Sequence, residues 1–187
     1  MENSQKLSNL LNDNLSKNEV YLEALRIIRK NSNGAIWLIG SGVYKTLLNL
    51  LYNNHYVIKD WDFIVEKITT PLKLENGWVA GETKHGNPKL KKDGLVMDLI
   101  ALNNIHSITK RGLEPDIKHY LSGVPLTIQS IAFNVDQKIL IGEAGIESLL
   151  NKTIGINNLD EYTYAESIYG DRYTTQHFAS VLGFQKI

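Results

Sequence analysis

Apolar and polar positions change period several times along this chain, and each change marks an element. Ser16-Lys-Asn-Glu19 fits a capping box, with Leu15 and Val20 placed as a hydrophobic staple, which predicts a helix from about Lys17 to Lys30 ending at Asn31-Ser-Asn-Gly34. Ala35 to Ile39 reads as a short buried strand, then Gly40-Ser-Gly42 as a tight turn, then Val43 to about Tyr52 as a helix. Tyr56 to Val65 is the next strand, with shorter ones at Gly77–Thr83 and Pro88–Lys92. Gly94 to Leu102 alternates cleanly: Val96, Asp98 and Ile100 share one face, and Leu95, Met97 and Leu99 the other. The pattern weakens from Ile105 to Gly123, where a surface connection with room for one helical turn is expected. Pro125–Val135 and Lys138–Ile141 then predict a buried segment and a hairpin around Asp136-Gln137, followed by a helix near Glu143–Lys152. These elements form a domain over residues 1–156, and the tyrosine-rich tail 157–187 is expected to pack back on it.

The most informative positions are Asp60 and Asp62. They lie two apart in a strand-forming run whose next residue in phase is Ile64. Strand side chains repeat every two residues, so both carboxylates share a face, roughly 7 Å apart along the backbone, on a side that Ile64 marks as partly buried. Desolvated like charges repel, and a divalent cation is the natural compensation for a hard oxygen site. Asp98 is the one polar residue in its own apolar strand. Three acids, were their strands adjacent, preceded by a Gly-Ser turn that opens a helix, would suit phosphoryl or nucleotidyl transfer. That chemistry builds charge on oxygens around phosphorus, and divalent ions can stabilise it. Gly40 and Ser41 would offer backbone N–H groups, a hydroxyl and a helix N-terminus to a triphosphate, and Lys45 lies one turn into that helix.

Composition narrows the alternatives. The chain has 187 residues, enough for a proper core, with 43% apolar and 21% charged residues. Twenty acidic residues balance twenty basic ones, so no overall positive field draws it to nucleic acid. The absence of cysteine excludes disulfides, a thiolate zinc site and a cysteine nucleophile. The histidines lack zinc-ligand spacing. No apolar run approaches a membrane span and the start lacks a signal-peptide pattern, so a cytoplasmic protein is expected. Lys84, His85, Lys89, Lys91 and Lys92 read as a solvated hairpin with edge-protecting lysines. Trp37 and Trp61 read as core, and Lys110, Arg111 and Lys118 as surface charges.

Ile39-Gly-Ser41, Asp60-Trp-Asp62 and the isolated Asp98 resemble the nucleotidyltransferase superfamily that includes DNA polymerase β. The nearest resemblance is to the head domain of class II CCA-adding enzymes and bacterial poly(A) polymerases. Gly40-Ser-Gly-Val43 with Leu47-Leu48 is similar to that group's first motif, Leu126-Thr-Ile-Gln-Ser-Ile-Ala-Phe133 to its F-T-I-N-A-L-A-Y segment, and Gly145-Ile-Glu-Ser-Leu149 to the G-L-E-D-L that follows. In order, these cover about Ala35 to Ile154. The group's Arg-Asp after the first motif is Tyr44-Lys45 here, and its Arg-Arg-Asp before F-T-I-N is Gly123-Val-Pro125. Asn103 stands where an arginine often follows the third acid's strand, and no neck and body are expected after the head-like stretch.

The resemblance implies an α/β (α+β) nucleotidyltransferase fold, a twisted, mixed but mostly antiparallel sheet with helices on one face. It implies a metal-dependent enzyme in which a hydroxyl of RNA, a protein side chain or a small molecule attacks the α-phosphate of a nucleoside triphosphate and pyrophosphate leaves. Asp60, Asp62 and Asp98 are the expected catalytic and metal residues, with Mg²⁺, or Mn²⁺ in its place, as cofactor, and Asp98 a candidate to accept the hydroxyl proton. Gly40, Ser41 and Lys45 are the expected nucleotide contacts. The rival reading is a catalytically silent relative, regulatory or of toxin and antitoxin type, that binds a nucleotide or a partner protein.

Overall fold

The computed structural model describes residues 2–187. In chain order it contains α1 (Glu2–Leu15), α2 (Glu19–Lys30), β1 (Ser32–Ile39), α3 (Ser41–Tyr52), β2 (Asp60–Ile68), β3 (Val79–Glu82), β4 (Pro88–Lys92), β5 (Leu95–Ala101), α4 (His106–Lys110) and α5 (Ile117–Leu121). It continues with β6 (Ala132–Asn134), β7 (Ile139–Ile141), α6 (Glu143–Asn151), β8 (Thr153–Ile154), α7 (Leu159–Tyr169), α8 (Thr175–Leu182) and β9 (Gln185–Lys186). Seven strands form one sheet in the order β3-β4-β5-β2-β1-β6-β7, and β8 pairs with β9 apart from it. Every neighbouring pair in the large sheet is antiparallel except β2 and β5, which run parallel.

One face of the sheet is covered by the long helices. Leu38, Phe63, Val65, Leu90, Met97 and Phe133 point into a core shared with Leu7, Leu11 and Leu15 of α1, Tyr21, Leu25 and Ile28 of α2, and Val43, Leu47 and Leu48 of α3. The helical residues recur at three- and four-residue spacing, which puts each set on one side of its helix. Burial of a large apolar side chain contributes roughly 1.5–3 kcal/mol, so this cluster is the main source of stability. The opposite face carries a smaller cluster, in which Trp37, Ile39, Ile64 and Ala132 meet Leu102, Ile105, Ile108 and Leu121.

The structure corrects the sequence reading in several places. The polar N-terminus forms α1, which the sequence reading did not anticipate, because Leu7, Leu11 and Leu15 supply an i, i+4 stripe between polar neighbours. The cap of α2 is Asn18, whose Oδ1 accepts the Tyr21 N–H at 3.0 Å, while Ser16 donates its hydroxyl to the Asp13 carbonyl behind it. β2 begins at Asp60 rather than Tyr56, since Asn49 takes up the Tyr56 backbone instead, donating to its carbonyl at 2.9 Å and accepting from its N–H at 2.8 Å. The stretch Ile105–Gly123 is not a bare surface connection. It folds into α4 and α5, whose Ile105, Ile108 and Leu121 roof the sheet's second face. Each helix is only 5 residues long, too short for a clear helical period in sequence.

Other expectations match. The sheet is mixed and mostly antiparallel. The hairpin at Asp136-Gln137 forms, with Asn134 Oδ1 accepting from both N–H groups, and α6 occupies Glu143–Asn151. Trp37 and Trp61 are both core, on opposite faces of the sheet.

Candidate active site at the parallel strand pair

The parallel pairing sets Asp62 directly beside Asp98 and Asp60 beside Val96. Adjacent strands lie about 4.8 Å apart, so two carboxylates in register on one face are forced to be neighbours. Asp60, as the first strand residue, is exposed, whereas Asp62 and Asp98 are partly buried. Burial raises the Asp62 pKa from the ordinary carboxylate value to about 7, reinforced by the negative charges of Asp98 and Asp60. Ile64, next in phase after Asp62, is fully buried beneath the α4–α5 roof. The acids therefore stand where the roofed apolar cluster gives way to an open cleft.

β1 brings the glycine turn to the same place. Ile39 pairs with Asp62 across the antiparallel β1–β2 ladder, so Gly40 follows immediately beside that carboxylate. Gly40 has φ 62° and ψ −140°, a conformation an L side chain rarely takes, and an added Cβ would stand 3.3 Å from Asp62 Oδ2. Gly42 is small for another reason: a Cβ there would lie 3.1 Å from the Trp61 ring. α3 thus starts at Ser41 with its free N–H groups beside the acids, the arrangement that favours anions. Lys45 is half-buried, and its pKa is lowered by that burial and by Lys59, with Asp60 acting the other way. Five of the six expected site residues (Asp60, Asp62, Asp98, Gly40 and Ser41) gather at this one end of the sheet, and Lys45 approaches it through Asp60.

Beside Asp98 opens a cleft of about 530 Å³ between the β3–β4 hairpin, the α4–α5 roof and α7. Sequence reasoning missed most of its lining. His106 stacks on Tyr164 with ring centroids 4.5 Å apart, and its Nδ1 lies 3.3 Å from Glu161, a buried carboxylate that also pairs with Lys110. Lys84 lies over the Tyr169 ring, 4.5 Å from its centroid. Tyr120 and Tyr173 line the cleft, and burial raises the pKa of both hydroxyls, reinforced at Tyr120 by the charge of Asp62. The tyrosine-rich tail was expected to pack back, but nothing local said where, because only the chain's return through α7 sets it against α4.

The hairpin lysines are a correction. Lys84, His85 and Lys89 line the cleft instead of merely guarding an edge, whereas Lys92 turns to the helix side and pairs with Glu23 at 2.7 Å. Lys89 is the register partner of Asp98 across β4–β5, and its Nζ sits 3.0 Å from Asp98 Oδ1. This was readable from sequence. Asp93 and Gly94 both have positive φ and make a two-residue turn, which fixes Lys92 opposite Leu95 and hence Lys89 opposite Asp98. Arg111 is structural, donating to the Ser107 carbonyl and to the Ser122 hydroxyl.

The donor set fits a hard divalent cation. The carboxylates are oxygen ligands, burial and then the charges of Asp98 and Asp60 push the Asp62 pKa up to about 7, and Asp98 Oδ1 is buried without a hydrogen-bond partner. As they stand, however, the acids do not converge: among the described residues, no three His, Asp or Glu side chains form a ready metal cage. Among the same residues no helix is long and apolar enough to cross a membrane.

No protein-family model matches the sequence, and a search of curated proteins finds no match either. Solved structures do match the fold. A CCA-adding enzyme in complex with CTP aligns over 98% of this chain and 43% of its own, with TM-score 0.65 and 16% identity. The Thermotoga maritima CCA-adding enzyme complexed with tRNA aligns over 98% of this chain and 42% of its own, with TM-score 0.61 and 17% identity. A tRNA nucleotidyltransferase with a primer tRNA and an incoming ATP analog aligns over 82% of this chain and 43% of its own, with TM-score 0.58 and 23% identity. The chain spans about two fifths of the length of these structures. Its fold is the nucleotidyltransferase fold that it shares with these structures.

Proposed function

We propose that the chain is a nucleotidyltransferase, moving a nucleoside monophosphate from a nucleoside triphosphate to a hydroxyl acceptor. The observation that carries this reading is the pairing of Asp62 with Asp98 across the parallel strands, with the Gly40–Ser41 helix turn against Asp62. In this reading the backbone N–H groups at Gly40 and Ser41 and the start of α3 orient the triphosphate. Lys45 draws its outer phosphates, and the cleft beside Asp98 receives the nucleoside or the acceptor end. The acceptor oxygen bonds to the α-phosphorus as the α–β anhydride bond breaks, pyrophosphate leaves, and Asp98 takes the hydroxyl proton. Asp60, Asp62 and Asp98 would hold Mg²⁺ or Mn²⁺. When bound, such an ion supplies positive charge to the phosphate and leaving-group oxygens. RNA is the preferred acceptor class, because several of the similar structures are tRNA-processing enzymes or tRNA nucleotidyltransferases, some of them bound to tRNA.

A second reading has its own observation. Lys89 lies against Asp98, and the acids do not converge into a cage, as would suit a silent relative that binds a nucleotide or a partner. A thermal-shift screen of nucleoside triphosphates with Mg²⁺ or Mn²⁺, run beside Asp62→Ala, separates the two readings. Stabilisation of wild type by metal and nucleotide together, lost in Asp62→Ala, is expected. Transfer of label from an α-labelled triphosphate to tRNA or to an RNA in cell extract then identifies the acceptor. An equal shift in both proteins, or none in either, would overturn the enzyme.

A further inference from the structure

Lys89 is the cation best placed to act on the acids, and its position is not that of an ordinary edge lysine. The β4–β5 register aims it at the face that also carries Asp62 and Ile100, and its side chain is 32% exposed against 20% for Asp98. An edge lysine would extend into water, where its ammonium is best hydrated. This one bends inward. The contact is also imperfect. At 3.0 Å it is close enough for an ion pair, but it lacks hydrogen-bond alignment, so the buried Asp98 Oδ1 is left without a true donor. A fully committed structural pair would be aligned. This one is charge compensation on a flexible stem.

Building on the nucleotidyltransferase reading, we propose that Lys89 is a tethered cation that stands in the metal's place on Asp98 while the site is empty, and moves to the triphosphate when a divalent ion binds. Two physical facts support the exchange. An ammonium 3 Å from a carboxylate oxygen repels a dication approaching that same oxygen, so the two compete. The freed ammonium stays at the wall of the cleft, where four rotatable carbons let it follow a phosphate. Metal alone must displace Lys89 into an empty cleft, whereas metal with triphosphate displaces it onto an anion. The site therefore selects the metal–triphosphate complex over free metal, and the two ligands bind with positive coupling. The same exchange releases Asp98 to accept the acceptor's proton.

The signature is a pair of opposite effects that a structural lysine would not produce. Mn²⁺ binding, followed by loss of the free-ion paramagnetic resonance signal, is expected to tighten about tenfold in Lys89→Met relative to wild type and to stay at the wild-type level in Lys89→Arg. Inorganic tripolyphosphate, titrated calorimetrically at saturating Mn²⁺, is expected to bind Lys89→Met about tenfold more weakly than wild type. Lys89→Gln repeats both measurements in a second neutral background, with circular dichroism confirming the fold. Mn²⁺ bound equally by wild type and both neutral variants, yet lost in Asp62→Ala, would overturn the exchange while leaving the nucleotidyltransferase reading intact. Absence of Mn²⁺ binding in every variant would overturn both. Unchanged tripolyphosphate affinity in Lys89→Met would overturn the transfer of Lys89 to phosphate.

Discussion

The two faces of the central sheet come from the same strands and solve opposite problems. On the helix side Leu38, Phe63, Leu90, Met97 and Phe133 are all at most 1% exposed and belong to one apolar cluster. Charge on that side stays at the rim, as in the Arg29–Asp136 pair. On the other side Ile64 and Ala132 are just as deeply buried, but the α4–α5 roof stops short and the alternation delivers Asp62 and Asp98 where it ends. One face is satisfied by packing alone. The other keeps two adjacent carboxylates half-desolvated, with Lys89 as partial relief, and that residual electrostatic strain is what a ligand can relieve.

The contrast can be tested by truncation first. Phe63→Ala on the helix side is expected to lower unfolding free energy by about 3–5 kcal/mol in urea, because it empties fully packed volume. Ile100→Ala on the roofed side, where the residue is only partly buried, is expected to cost about half as much. Equal losses would mean that the roof packs as tightly as the helix layer.

Asp62→Asn probes the strain directly. The Asp62 pKa is raised from 3.8 to about 7 in the folded chain, so between those values the folded state holds a proton that the unfolded state has lost. Metal-free wild type should therefore lose stability as pH rises from about 4 to about 7 and then level off. Asn carries no such charge. At pH 8 Asp62→Asn should be more stable than wild type by on the order of 1–3 kcal/mol, and its profile should lack that decline. A variant profile parallel to wild type would show that Asp62 is not the strained group. At the small end, Arg29→Ala breaks an ion pair whose side chains are 54% and 51% exposed, and is expected to change stability by less than about 1 kcal/mol. A larger loss would mean that the helix side also depends on charge.

Much of the site was legible because it follows from short-range rules. Asp60 and Asp62 share a face because strands alternate, Asp98 stood out against Val96 and Ile100, and Gly40-Ser41 announced a turn into a helix. Lys89 was legible in principle through the two-residue Asp93-Gly94 turn, but a lysine-rich hairpin has a ready explanation in edge protection and its register was not followed through. The roof was illegible because each of its helices is shorter than two turns and takes its order from Ile64 and Trp37 beneath it.

By itself the sequence determined which side chains share a strand face and where the chain turns, since alternation and glycine conformation act within a few residues. It could not determine which strands are neighbours. Tertiary structure alone put β5 parallel beside β2, so that Asp98 meets Asp62, and returned α7 to set Glu161 and Tyr164 against His106. Those contacts join residues far apart in the chain, and what selects them is burial of Phe63, Met97 and Leu99 on the opposite face of the same strands, not any preference of the acids themselves.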